Sequence, residues 1–221
     1  EGLNKRVPTA QQHRASELVI DALFSREPDE TFGIEGYGPE VLALNALLRV
    51  PGILHQNGDG YWQLDRPENN PLLADVWDTI DAYFVTCVKN KKSFEPVIQE
   101  LTSEPFGIRE GVLPILVASV LRSRLMVTSI WRDRSPVSTI DGQTLIKIVE
   151  NPESYSIEIG HWSPVLDDLW QILMSRFNEY IQDIERDKQP LSRLRSGMTR
   201  WLQGLPAFCR FTKQISDQAN Q

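Results

Sequence analysis

Apolar residues recur at helical spacing along most of this chain, and turn signals cut the pattern into short elements. Gln11 to Phe24 puts Leu18, Val19, Ala22 and Leu23 on one face and predicts a helix. Arg26 to Gly38, with three glycines, one proline and four acids, predicts a loop. Pro39 opens a second helix at its first turn, where the missing N–H costs nothing. Val41, Leu42, Leu44, Ala46, Leu47 and Leu48 make that helix apolar nearly all round, and it stops before Pro51. Ile53-Leu-His55 and Tyr61-Trp-Gln-Leu64 then flank the turn Asn57-Gly-Asp-Gly60, a hairpin signature. Pro71 to Asn90 predicts a strong helix, with Leu72, Leu73, Val76, Trp77, Ile80, Phe84 and Val88 along its apolar side.

The second half follows a similar outline without a residue-level repeat. Ser93 caps a short helix over Phe94 to Leu101, a turn covers Thr102 to Arg109, and an almost wholly apolar helix covers Glu110 to Arg124. Met126 to Trp131 and Val137 to Ile140 predict a second hairpin around Arg132-Asp-Arg-Ser-Pro136. Asp141 caps a helix to Val149, and Ser156 to Ile159 predicts a short strand. Ser163 and Pro164 then start a helix whose stripe is Val165, Leu169, Ile172, Leu173, Phe177, Tyr180, Ile181 and Ile184. Two further short helices are expected around Trp201, Leu202 and Leu205, and around Phe208, Phe211 and Ile215. Helix, turn, helix, hairpin is the order of a small winged-helix unit. The fold expected is therefore mainly α with small β-hairpins: tandem winged-helix-like units plus a C-terminal helical segment. Its parts are a linker at 1–10, a first unit at 11–66, a connecting helix at 67–92, a second unit at 93–160 and C-terminal helices at 161–221. Trp77, Ile80, Phe84, Leu116, Val120, Leu169, Ile172 and Phe177 are the expected core.

Composition narrows this only a little. The 221 residues are 41% hydrophobic and 24% charged, as in an ordinary globular chain. The longest apolar run, Val112 to Leu121, is about half a membrane span, so no membrane is expected as a partner. No charged-then-apolar leader stands at the start, and two cysteines, Cys87 and Cys209, make neither a disulfide framework nor a cysteine-rich zinc site. A cytoplasmic setting is the expectation. A first residue of Glu1 and a polar end without a stop signal suggest a piece of a longer protein. The net charge of −7 argues against a general nucleic-acid binder. Charge is uneven, however: Arg186 to Lys213 carries seven cations against Asp187 alone.

Catalytic signatures do not emerge. There is no phosphate-cradling Gly-x-x-x-x-Gly-Lys-Ser/Thr, no Gly-x-Ser-x-Gly elbow and no His-Glu-x-x-His. His13, His55 and His161 are scattered, and each reads as a structural or surface histidine. Cys87 and Cys209 read as ordinary thiols, and Asp75, Asp78 and Asp81 as a solvated helix side. Gly33-Ile-Glu-Gly-Tyr-Gly38 precedes a helix start, where free N–H groups can hold an anion. No strand leads into it, and Glu35 and Glu40 would repel phosphate, so it reads as a turn. No cofactor, metal or enzyme activity is expected of this chain. The helices over Pro39–Leu48 and Val112–Leu121 offer little besides Glu40, Asn45 and Ser119 to read base edges, and both look buried. Weak, sequence-independent phosphate contact is then the form any nucleic-acid binding takes. Its candidate residues are Arg132 and Arg134 on the second hairpin and Arg193, Arg195 and Arg200 in the tail.

Five segments together carry a resemblance: Gly36-Tyr-Gly-Pro-Glu40, Gly58-Asp-Gly-Tyr-Trp-Gln-Leu64, Pro105-Phe-Gly-Ile-Arg-Glu-Gly-Val-Leu-Pro114, Asn151-Pro-Glu-Ser-Tyr155 and Leu205-Pro-Ala-Phe-Cys-Arg210. In that order the stretch from about 36 to 210 resembles the region beyond the ATPase module of large bacterial P-loop proteins linked to anti-phage defence or mobile elements. The resemblance implies a non-catalytic relay between a nucleotide engine and other domains of a parent chain, a partner protein or nucleic acid. A stand-alone winged-helix nucleic-acid-binding regulator is the second expectation, and an enzyme with an unrecognised site the third.

Overall fold

Helix α1, Ala10–Ser25, begins at a capping box: the Thr9 hydroxyl accepts the Gln12 N–H while the Gln12 side chain accepts the Thr9 N–H. The computed structural model describes residues 9–161, 164–183, 190–206 and 209. Most of the expected 1–10 linker, the Ser163 cap and the helix around Phe208, Phe211 and Ile215 lie outside them. The chain divides into two compact units, the first ending at Trp162 and the second starting at Ser163.

In the first unit, α2 (Pro39–Leu44) continues without interruption into a wider π turn, Asn45–Arg49. The hairpin strands β1 (Leu54–Gln56) and β2 (Trp62–Leu64) pair antiparallel, with Leu54 opposite Leu64. Their turn is held locally, because the Asn57 side chain accepts the N–H groups of Asp59 and Tyr61. Helix α3 (Pro71–Thr86) follows, capped by Asn70, with Ala74, Val76, Ile80 and Phe84 buried. Short β3 (Lys92–Ser93) leads into α4 (Glu95–Thr102), and α5 (Leu113–Leu121) buries all nine of its residues. A tight 3-10 turn, Arg122–Val127, runs into β4 (Thr128–Arg132), and β5 (Ser135–Pro136) pairs back on it. Helix α6 (Gly142–Glu150) and β6 (Tyr155–Ile159) complete the unit. The sheet order is β3-β6-β4-β5, all neighbours antiparallel. The protein is thus mainly helical with small antiparallel sheets.

A single cluster of buried side chains runs from Val19 of α1 through Ile80, Phe84, Leu116 and Val120 to Ile159 of β6. Helix α1 packs on α2, α5 and α6, so the elements of both expected winged-helix-like segments share that core. The start of α6 abuts α1 so closely that a Cβ on Gly142 would lie 2.6 Å from the Glu17 backbone. The Gly142 N–H donates to the Asp21 carboxylate there (2.8 Å). The loop before α2 is anchored by Phe32, fully buried with a left-handed φ of 51°. Arg26 donates to the Phe32 carbonyl, and Arg122 both donates to the Arg26 carbonyl and lies over the Phe32 ring. Burial holds the Arg122 guanidinium below its ordinary pKa.

Three expectations are corrected. Val137 to Ile140 is not the second strand of the hairpin; that strand is Ser135–Pro136. A two-residue turn with Asp133 left-handed (φ 54°) places the pairing immediately at Ser135 and Pro136, and one further bond, from the Val137 N–H to the Ile130 carbonyl (2.8 Å), closes it. The helix expected over Pro39–Leu48 is not buried on most sides: Leu44 and Leu48 face the core, while Leu42 and Val50 stand 66% and 83% exposed. The third concerns the core set. Ile80, Phe84, Leu116, Val120 and Phe177 are buried and Trp77 is half-buried, but Leu169 and Ile172 are 46% and 60% exposed.

Among the described residues the second unit holds α7 (Pro164–Phe177), a 3-10 turn (Asn178–Tyr180) and α8 (Pro190–Gly204). Phe177 and Leu194 are buried, and the Phe177 and Trp201 rings meet edge-on with centroids 5.5 Å apart. Helix α8 continues through Gly197, where a Cβ would crowd the Phe177 carbonyl oxygen at 3.0 Å. One side of α7 stays in solvent: Val165, Leu166, Leu169 and Ile172 are all exposed.

Candidate phosphate-contact surface

The four-stranded sheet presents a core face and an outer face because side chains alternate along each strand. Tyr155, Ile157 and Ile159 of β6 and Thr128 and Ile130 of β4 are buried in the core. The register then sets Ser93, Ser156, Trp131 and Pro136 in one row across the outer face, one residue from each strand. Ser129 and Glu158 form the next outward pair.

Two candidate arginines sit at one end of this sheet. Arg132 is exposed at the last pair of β4 and β6, opposite Tyr155, with its guanidinium 6.0 Å from the Tyr155 ring centroid. Arg134 is exposed in the turn. Asp133 between them donates its N–H to the Ser154 carbonyl (2.7 Å), which ties the turn to the body of the unit. The other three candidates lie on α8 in the second unit, where only Arg195 of the three is exposed. Arg193 and Arg200 are half-buried, and Arg200 donates to the Tyr180 carbonyl, closing its own unit. Arg132 and Arg134 therefore belong to the first unit, and Arg193, Arg195 and Arg200 to the second.

Sequence reading missed the cations that accompany the first group. Lys89, Lys91 and Lys92 follow α3, and the Lys91 ammonium lies 4.2 Å from the centroid of the Trp131 ring. That contact is a cation–π pair on the outer face. The run Lys89-Asn-Lys-Lys92 was the available signal. Its spatial partner, Trp131, lies far along the chain and no local pattern connects them.

The remaining chemistry-bearing residues have structural partners. Arg66 grips Asp78 through two contacts of 2.8 and 2.9 Å, which holds the Asp78 carboxyl below the ordinary range. Asp81 pairs with Arg124 at 2.7 Å. Among the described residues no group of three His, Cys, Asp or Glu side chains is placed to hold a metal. Cys87 is fully buried, which pushes its thiol pKa up and makes it a poor nucleophile, while Cys209 is exposed. His55 lies against the Gly52 carbonyl and the Gln63 side chain, His13 stands 3.7 Å from Glu150, and His161 is exposed. The glycine loop before α2 is a turn in which the Asp29 carboxylate accepts the N–H groups of Thr31 and Gly33. Among the described residues no helix is long and apolar enough to cross a membrane. Comparison with family models, with curated proteins and with solved structures gives no match for this chain.

Proposed function

We propose that this chain is a non-catalytic docking module of a larger bacterial P-loop ATPase of the anti-phage-defence kind, relaying between the nucleotide engine and a partner. The observation that carries the reading is α7. A helix that leaves Val165, Leu169 and Ile172 exposed has an apolar side that no described residue of its unit covers. An apolar helical surface on the ATPase part of the parent chain is the occupant that the resemblance suggests. The first unit supports the reading in its topology. Helices α4 and α5 followed by the antiparallel strands β4, β5 and β6 are an order compatible with the winged-helix reading of residues 93–160. The would-be reading helix of that unit, α5, is wholly buried, which favours a protein-docking role over base reading.

Hydrogen–deuterium exchange tests this. The chain alone and the product of its complete reading frame are compared over residues 164–177. Slower exchange across α7 in the full product is expected. Equal exchange in both, or a reading frame that encodes no P-loop module, would contradict the proposal.

A further inference from the structure

The outer face of the β3-β6-β4-β5 sheet brings together an aromatic ring and cations drawn from distant parts of the chain. Trp131 stands at the middle of the row, half-buried at its base, with the small side chains of Ser156 and Pro136 on either side and Ser129 nearby on its own strand. A large flat ring among short neighbours leaves its own face as the most prominent apolar surface there. Lys91 lies over that ring at 4.2 Å, and Arg134 is exposed in the turn three residues beyond Trp131, whereas Arg132, opposite Tyr155, leaves the strand on the other side. Lys89 is exposed as well. Two acids lie close by: Glu158 on the same face and Asp133 in the turn.

From this placement we infer that the outer face of the sheet is a binding surface for a single-stranded polynucleotide, with one base stacked on Trp131 and the flanking phosphates met by Lys91 and Arg134. The chemistry of the parts argues for this occupant. An aromatic platform takes any base by its π-face, and surrounding cations take the backbone, without base-edge readout. Duplex DNA hides its base faces within the stack and would engage only the cations. The ammonium of Lys91 is a mobile cover: on a four-carbon stem it leaves the ring for a phosphate as the base arrives, so the cation–π contact is exchanged for a charge–charge contact. Glu158 works against the ligand, which confines binding to the Trp131 end of the sheet. This surface lies on the first unit and does not depend on the docking role given to α7.

Fluorescence anisotropy of labelled (dT)15, (U)15 and a 15-base-pair duplex, titrated with the whole chain at low salt, tests the inference. Binding of either single strand, at least threefold tighter than the duplex, is expected, and the tighter of the two single strands identifies the sugar. With two phosphate contacts the log–log salt slope should be about −1.4 for the single strand. Trp131→Ala should weaken binding at least tenfold, and Trp131→Phe should restore most of it by keeping a stacking ring. Lys91→Ala with Arg134→Ala, both at exposed positions, should weaken binding with the circular dichroism spectrum unchanged. Glu158→Gln should tighten it, a gain that a purely structural role would not produce. Absence of single-strand binding at 50 mM salt, a preference for duplex, or affinity indifferent to Lys91, Arg134 and Glu158 would each overturn the assignment.

Discussion

Helix α5, Leu113–Leu121, and helix α7, Pro164–Phe177, both read as broad apolar stripes, yet the first is buried on every side and the second leaves Val165, Leu169 and Ile172 in solvent. What separates them is the polar remainder. Helix α5 holds no charged residue, and Ser119, its one polar side chain, donates to the Leu116 carbonyl within the helix. Nothing in it requires water, so α1, α3 and α6 can pack around it. Helix α7 carries Asp167, Asp168, Gln171 and Arg176, and against the fully buried run of α5 it has Phe177 buried and Trp170, Leu173 and Met174 only half-buried. Apolar spacing identifies a face; it does not say whether that face is covered by the chain itself. Within this protein α5 is the centre of a closed core, whereas α7 keeps an apolar side exposed.

The largest effect that would break the comparison is expected in α5. Leu116→Ala should cost about 2–5 kcal/mol in a urea titration, because the space left by the side chain lies inside a core that cannot collapse onto it. A loss under about 0.5 kcal/mol would mean that α5 is not the centre of the core.

A smaller effect, with a definite sign, is expected where α6 meets α1. Burial raises the Asp21 carboxyl above its ordinary value of 3.8, against the lowering effect of the Gly142 N–H, and Asp141 and Glu17 raise it further. A raised pKa means that the folded state binds a proton where the unfolded state has lost it. This group's contribution is therefore complete at low pH and declines as pH rises from 3.8 through the raised value. Asp21→Asn keeps an acceptor for Gly142 and removes the charge. The variant should be at least as stable as the wild type at pH 7, and its advantage should vanish on acidification. Stability that is lower than wild type at pH 7 would show that the charge itself is needed there.

How much of this could be read beforehand follows from how local each cause is. The β1–β2 hairpin was legible because the Asn57 side chain makes the turn by itself, and the start of α6 was legible because Asp141 caps it by accepting the Thr144 N–H. Phe32 was hidden in an acidic, glycine-rich loop, and its burial depends on Arg122 arriving from beyond α5. The run Val137 to Ile140 looked like a strand, but the turn at Asp133 set the register so that pairing falls on Ser135 and Pro136 and ends with the Val137 N–H on the Ile130 carbonyl. At the candidate surface, Arg132 and Arg134 were legible as a hairpin turn, whereas Lys91 over Trp131 is a product of sheet order and had no local signal.

The central claim is that the chain's stability rests on the core around α5 and makes no use of the α7 face. The most direct measurement is a urea titration of the wild type beside Ile172→Asp, which places a charge in the middle of that face. The account predicts the same midpoint and the same slope, within about 0.5 kcal/mol, since an exposed side chain loses no buried contact. A loss of about 2 kcal/mol or more would show that Ile172 is buried against the chain itself, and the distinction between α5 and α7 would fall.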